Sequence, residues 1–344
     1  LLARPRRSKD YPITLLNENI NLDQLLAIHN GMKYPLAYIQ GPPGTGKTNT
    51  IINTIVTAFF NERTVLFTSY NNHPINGVFE KLSNMNYKGK TIPFPVLRLG
   101  NVEKVGEALQ YMKELYYQAE KIQVFEGTLD KRKDDRALRA KQLSNLLKKY
   151  EEVLELKDRK EAIRQVVDHQ KKNPLSVQML PFQADLQGRQ LAQVEHKIVE
   201  AGEFTDEQAI ALIDSDYEQL RQYLYFMSAR YIKKLGNNQY KDLYDIIFFE
   251  ENSEKQIEKF TKFLSKTENV KRLQKLFPVI ITTCISAHKL GEPRPMFDMV
   301  IMDEASQCNT AISLVPIIRG ENLMLVGDPQ QLNPVILLDE ESNQ

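Results

Sequence analysis

The chain predicts an α/β fold built on a parallel sheet, and three observations predict it. Gly41-Pro42-Pro43-Gly44-Thr45-Gly46-Lys47-Thr48 has the spacing G-x-x-x-x-G-K-[ST] and lies between an apolar run, Leu36-Ala37-Tyr38-Ile39, and a helix-like stretch, Ile51 to Phe60. Short continuous apolar runs recur at Val65-Leu66-Phe67-Thr68, Val96-Leu97-Arg98-Leu99, Val279-Ile280-Ile281-Thr282, Met299-Val300-Ile301-Met302 and Leu323-Met324-Leu325-Val326. Continuous runs suit strands covered on both faces. Helical spacing separates them, as at Ile75–Leu82, so strand and helix signals alternate along the chain.

The first element pair carries the strongest chemistry. A strand, a Gly-rich loop and a helix in that order suit polyphosphate binding. The glycines let backbone N–H groups turn inward, and the helix N-terminus adds partial positive charge. Gly41, Pro42, Pro43, Gly44, Thr45, Gly46, Lys47, Thr48 and Asn49 are therefore the candidate cofactor-binding residues. Lys47 reaches the β- and γ-phosphates, and the Thr48 hydroxyl ligates Mg²⁺.

The stretch from 104 to 276 differs from its flanks. Its first part is denser in charge than the chain's 26%. Leu143, Leu146, Tyr150, Val153, Leu156, Ile163 and Val167 fall at helical spacing on one face. Asn173-Pro174 breaks that helix. A second block follows near Phe182–Glu200, and Thr205-Asp206-Glu207-Gln208 has the form of a helix start. Further helices are expected at about Tyr217–Leu235 and Glu254–Lys266. The expectation is a discontinuous α/β lobe, residues 1–103 and 277–344, interrupted by an all-helical insertion of an antiparallel hairpin plus a small bundle. The insertion is expected to lift out of the lobe.

Two later loops complete the chemical set. Met299-Val300-Ile301-Met302 runs into Asp303-Glu304-Ala305-Ser306-Gln307. Asp303 at a strand's C-terminal end can hold Mg²⁺ opposite Thr48, and Glu304 can orient or deprotonate an attacking water. Open α/β sheets gather ligands at the carboxyl ends of their strands, so both loops can meet one phosphate. Leu325-Val326-Gly327-Asp328-Pro329-Gln330-Gln331-Leu332-Asn333-Pro334 is a further strand and polar loop, from which Gln331 can meet the γ-phosphate. Lys47, Asp303, Glu304 and Gln331 are the candidate catalytic residues; Thr48 and Asp303 are the metal ligands.

The combination GPPGTGKT, DEASQ and GDPQQLNP resembles motifs I, II and III of superfamily 1 helicases, and DEASQ resembles the branch that includes senataxin and the nonsense-mediated-decay helicase. That resemblance implies a RecA-like P-loop lobe, ATP and Mg²⁺ as cofactors, and 5′→3′ movement on single-stranded DNA or RNA. Asn21-Leu22-Asp23-Gln24 resembles the upstream Q motif, where Gln24 would read the adenine edge. Thr68-Ser69-Tyr70-Asn71-Asn72 resembles motif Ia, and Thr282-Thr283-Cys284-Ile285-Ser286-Ala287 the Thr/Ser-rich motif ahead of motif II. Ser69, Asn71, Asn72, Thr283 and Ser286 are the implied nucleic-acid contacts. The resemblance covers one lobe, roughly 10–103 and 277–336. The second lobe, with motifs IV to VI and the arginine fingers, lies outside it, and Leu1 and the acidic tail at 339–341 suggest a fragment.

Bulk properties narrow the rest. Lys and Arg number 45 against 44 Asp and Glu, a net charge of +1, so a nucleic-acid surface is expected as a local groove. The cysteines, Cys284 and Cys308, stand apart in sequence and without metal-ligand spacing, which suits a reducing, cytoplasmic setting. No apolar run reaches the ~20 residues of a membrane span. The scattered histidines, His29 and His73 among them, are expected at the surface or near helix starts. Tyr223-Leu224-Tyr225-Phe226 is expected in a helical core, and Lys131-Arg132-Lys133 on a solvated face. The alternative function is an ATP-gated scaffold whose helical insertion binds a protein partner without unwinding.

Overall fold

The computed structural model describes residues 9–16, 20–41, 44–124, 133–172, 181–213, 217–249 and 252–328. A six-stranded sheet organises them. Its strands are β1 (Leu36–Gln40), β2 (Val65–Ser69), β5 (Val96–Arg98), β6 (Val279–Thr283), β7 (Phe297–Asp303) and β8 (Gly320–Gly327), in the order β1-β8-β7-β2-β6-β5. Every pairing is parallel. All six strands therefore deliver their following loops to one edge. A two-residue hairpin, β3 (Asn86–Tyr87) with β4 (Lys90–Thr91), stands apart from the sheet. Its turn uses Lys88 and Gly89 at positive φ, the geometry two-residue hairpins favour.

Alternate strand residues feed two apolar layers, as the period-2 geometry of strands requires. Val65, Phe67, Val96, Val279, Ile281, Met299, Ile301 and Met324 pack with α1 (Leu22–Lys33), α2 (Lys47–Phe60) and α3 (Asn72–Ser83). Leu66, Leu97, Ile280 and Val300 face the other way, and Phe297, at the first position of β7, joins them against the alternation. They pack with α4 (Val102–Glu120), α8 (Tyr217–Lys233), α9 (Lys241–Phe248), α10 (Ser253–Leu264) and α11 (Thr267–Gln274). The regular elements in the described part of 104–276 are all helices. Five of its helices nonetheless form a layer of the sheet's own core, covering Leu97 of β5 and Ile280 of β6, while Val96, Val279 and Ile281 face the other layer.

The base of the hairpin joins this body through Leu143 and Leu147 of α5 (Lys133–Lys172). Helices α5 and α6 (Pro181–Ala201) run antiparallel, with Lys160 and Arg164 paired to Glu195 at 2.9 and 3.1 Å. The Thr205 capping box opens α7 (Asp206–Ile210) as the sequence predicts. Tyr223, Tyr225 and Tyr231 of α8 are core residues: their rings meet Phe60, Tyr87 and Phe59 at 4.9, 5.6 and 5.4 Å. Lys131 and Arg132 lie outside the described residues. No helix among the described residues is long and apolar enough to cross a membrane.

A polar strap ties the hairpin base to α1, and it corrects the reading of His29. His29 is buried, with Nε2 at 2.9 Å from Ser144 Oγ of α5 and Nδ1 at 3.0 Å from Asn30. Ser144 Oγ donates to Asp10, and Lys33 Nζ donates to both Asp10 and Ser144. Tyr150 donates to Asp23 at 2.8 Å, and the Leu22 N–H to Asp206 at 2.7 Å. A lone histidine gave no sign of a partner 115 positions away.

Burial lowers the pKa of His29 below its ordinary value. The unfolded histidine binds a proton that the folded one resists, so stability falls as pH drops through about 6.5, the unfolded value. Burial opposes the Ser144 and Lys33 bonds that hold Asp10 below its ordinary value, so Asp10 keeps its charge through that window. Thermal unfolding should show a lower Tm at pH 5.5 than at pH 7.5, and His29→Gln should narrow the gap. Equal pH dependence in the two proteins would remove His29 from the strap's account.

Candidate nucleotide and strand site

The phosphate loop leaves β1 and enters α2. Gly44 and Gly46 have φ of 84° and 81°, the left-handed region that glycine tolerates. A Cβ on Gly46 would also stand 2.3 Å from Gln24 Nε2. Lys47 Nζ donates to the Gly41 carbonyl, folding the side chain over the loop. The Gly41 N–H donates to the Gly327 carbonyl at 3.3 Å, joining the loop to the end of β8. Thr48 is exposed in the first turn of α2. Asn49 turns back along the helix, its side-chain oxygen accepting from Asn53 at 3.2 Å. Pro42, Pro43 and Gln331 lie outside the described residues.

Gln24 stands at this loop through two bonds. Its oxygen accepts from the Asn21 N–H at 3.2 Å, closing a capping box at the start of α1. Its amide donates to the Thr45 carbonyl at 3.1 Å. Helix α1 is thereby fixed against the loop.

Asp303 ends β7 and is buried. Burial pushes its carboxyl up to about 6; the Glu304 N–H opposes the shift, the Glu304 charge adds to it, and Lys47 opposes it from nearby. Glu304 is the next residue and has φ 52°, a left-handed conformation uncommon outside glycine. Its N–H donates to Asp303 Oδ1 at 2.9 Å. Its carboxylate oxygen Oε2 accepts from Asn71 Nδ2 at 2.8 Å and from Ser69 Oγ at 3.4 Å.

The residues implied for nucleic acid divide into two groups. Ser69 is buried, aligned across the sheet with Thr283 on one side and Asp303 on the other, so it supports Glu304 instead of offering a surface. Asn71 and Asn72 are exposed at the start of α3. Thr283 Oγ1 accepts from the Ser286 N–H at 3.2 Å, which shapes the loop after β6. Sequence reasoning missed Arg98. Its buried guanidinium holds the Asn72 and Asn76 side-chain oxygens at 2.9 and 3.0 Å and the Leu99 carbonyl at 3.0 Å. A lone arginine in an otherwise apolar strand was the available signal. Tyr70 and Ile285 expose apolar surface in the loops after β2 and β6.

The two cysteines, distant in sequence, share a small buried cluster with Met302. Burial, with Cys308 alongside, pushes the Cys284 thiol up to about 12, so it stays protonated and unreactive. No group of three His, Cys, Asp or Glu side chains suited to a metal occurs among the described residues.

A parallel sheet with a phosphate loop at its edge strand and an Asp-Glu pair beyond one intervening strand is the framework of an ATP-binding, superfamily 1B helicase-type domain. The chain belongs to the family described as an AAA domain, whose model matches residues 19–338. It is 23% identical over 336 residues to an uncharacterized ATP-dependent helicase of Methanocaldococcus jannaschii, covering 97% of this chain and 40% of that protein. A DNA replication ATP-dependent helicase/nuclease of Xenopus laevis is 40% identical over 78 residues, 23% of this chain and 7% of its own length. The ATP-dependent helicase NAM7 of Saccharomyces cerevisiae is 40% identical over 82 residues, 23% of this chain and 8% of its own. The chain thus spans well under half the length of these relatives.

Proposed function

We propose that this domain is the first motor lobe of an ATP-dependent helicase or translocase that moves 5′→3′ on single-stranded nucleic acid. The observation that carries the reading is the common edge: the loop after β1, Asp303-Glu304 after β7 and the exposed residues after β2 and β6 all emerge there. One surface thereby offers a place for a triphosphate beside a place for a strand.

The loop and Lys47 hold the phosphates, and Gln24 stands where α1 meets the loop. Burial leaves Asp303 short of compensating charge, which suits a divalent cation held with Thr48. Bound Mg²⁺ would neutralise phosphate charge. Glu304 takes the proton of the attacking water. Tyr70 supplies an exposed ring on which a base stacks. The helicase names of the relatives support this reading, as does motif order.

Lys47→Ala tests it. A charge-assisted contact of this kind contributes on the order of 1.5–3 kcal/mol, so affinity for a fluorescent ATP analogue with Mg²⁺ should fall by about ten- to a hundredfold. Equal affinities would sink the assignment.

A second reading, an ATP-gated scaffold, draws on the hairpin, where Val166, Leu186 and Val199 stand exposed. Hydrolysis that responds to a protein partner and ignores single strands would favour it.

A further inference from the structure

Arg98 breaks a local rule. It ends β5, an edge strand of the sheet, and is only 6% exposed. A buried arginine is ordinarily paired with a carboxylate. This guanidinium is held by three neutral oxygens instead: Asn72 Oδ1 at 2.9 Å, Asn76 Oδ1 at 3.0 Å and the Leu99 carbonyl at 3.0 Å. Glu107 is the carboxylate whose charge it feels, and both Glu107 oxygens accept from Lys104 Nζ at 2.7 Å. A Cβ on Gly100 would stand 3.6 Å from Arg98 Nη1 and 3.4 Å from Lys104 Cβ, and the Gly100 carbonyl accepts from Lys289 Nζ at 2.8 Å. Three cations thus gather around Gly100, and Glu107 is already paired to one of them.

The guanidinium also decides which way two asparagines face. Asn72 and Asn76 lie four residues apart, hence on one face of α3, and both are exposed. Arginine has donors only, so the atom each asparagine turns towards it is the oxygen. The amide nitrogens are turned away, and neither has a hydrogen-bond partner among the described residues. Backbone donors are fewer at this helix start, because Pro74 in the first turn has no N–H. Phosphate oxygens accept and do not donate. Outward amide nitrogens above a buried positive charge are matched to them.

We propose that Asn76, together with Asn72, binds a phosphate of the single strand through its side-chain amide, and that Arg98 is the positioning residue that turns both amides outward and leaves its own charge beneath them. The inference rests on the motor reading above and adds a contact one helical turn beyond the residues assigned there. It also gives asparagine at 76 a reason. A carboxylate in its place would pair with Arg98 and cancel the charge offered to the strand.

The test is strand binding by the intact protein, read as fluorescence anisotropy of labelled oligothymidylate and oligouridylate, beside thermal unfolding. Asn76→Asp keeps the side chain's size and gives Arg98 a carboxylate. Its Tm should equal or exceed that of the wild type, and its affinity for a fluorescent ATP analogue should be unchanged. Strand affinity should nonetheless fall by about ten- to a hundredfold, the loss expected for a charge-assisted phosphate contact. The slope of log affinity against log salt concentration should flatten by roughly one phosphate's share. Asn76→Ser keeps an oxygen for Arg98 and lacks the amide, so it should weaken strand binding as well. Wild-type strand affinity in either variant overturns the contact. A fall in Tm that accompanies the loss of strand affinity in both variants assigns Asn76 to the fold and overturns it too. If neither oligonucleotide binds the wild type, the motor reading fails and the contact with it.

Discussion

Replacing residues 104–276 with a short Gly/Ser linker should leave an insoluble or molten product that binds no ATP. The flanking strands do not complete their own core. Leu66, Leu97, Ile280, Phe297 and Val300 are fully buried against helices of that segment. Exposing a buried side chain of this size costs roughly 1.5–3 kcal/mol. Five of them together exceed much of the ~5–15 kcal/mol that holds a typical domain together. Phe260, Leu264 and Leu273 would be lost with the segment, and with them the helical cover of that face.

A narrower excision should behave differently. Ion pairs place Lys160 and Arg164 opposite Glu195, so the part of α5 after 166 and the part of α6 before 193 lie beyond that pairing. Joining 166 to 193 through a Gly/Ser turn keeps Leu143, Leu147 and Val153 and the strap around Ser144 in place. That variant should unfold cooperatively and bind an ATP analogue as the wild type does. We therefore propose the separable element as the outer hairpin. A soluble, cooperatively folded product lacking 104–276 would overturn that boundary.

What was legible in the chain was local. The strand and helix flanking the Gly-rich loop, the helix start at Thr205 and the continuous apolar strands are set by spacings of a few residues, and the structure has them. The β3–β4 hairpin escaped notice because strands of two residues carry no periodicity. The larger surprises are pairings across long separations. Apolar faces on α10 and α11 announce burial, but their spacing does not say against what, and the partner turned out to be the sheet. Ser69 and Asn71 were assigned to the strand by resemblance. Their bonds to Glu304 span 235 and 233 positions, a relation no local pattern encodes. The same holds for His29 with Ser144 and for Arg98 with Asn72 and Asn76. Polar groups in the interior choose partners by topology, and topology is assembled only after the local elements exist.

Glu304→Gln should abolish turnover while leaving ATP binding intact. The substitution keeps the side chain's shape and removes its ability to take a proton. A positioned general base contributes typically 10²–10⁴-fold, so kcat in the intact protein should fall within that range. Binding should survive because the proposed contacts to phosphate come from elsewhere: the Gly41–Thr48 loop, Lys47 and the start of α2. Stability should change little. Glutamine is under the same constraint as glutamate at φ 52°, and its amide oxygen can still accept from Asn71. The variant should therefore bind the fluorescent ATP analogue with wild-type affinity, unfold at the wild-type temperature and accumulate as an ATP complex that does not hydrolyse. Wild-type turnover in Glu304→Gln would remove Glu304 from the chemistry. Loss of ATP binding would place it in the nucleotide contact instead.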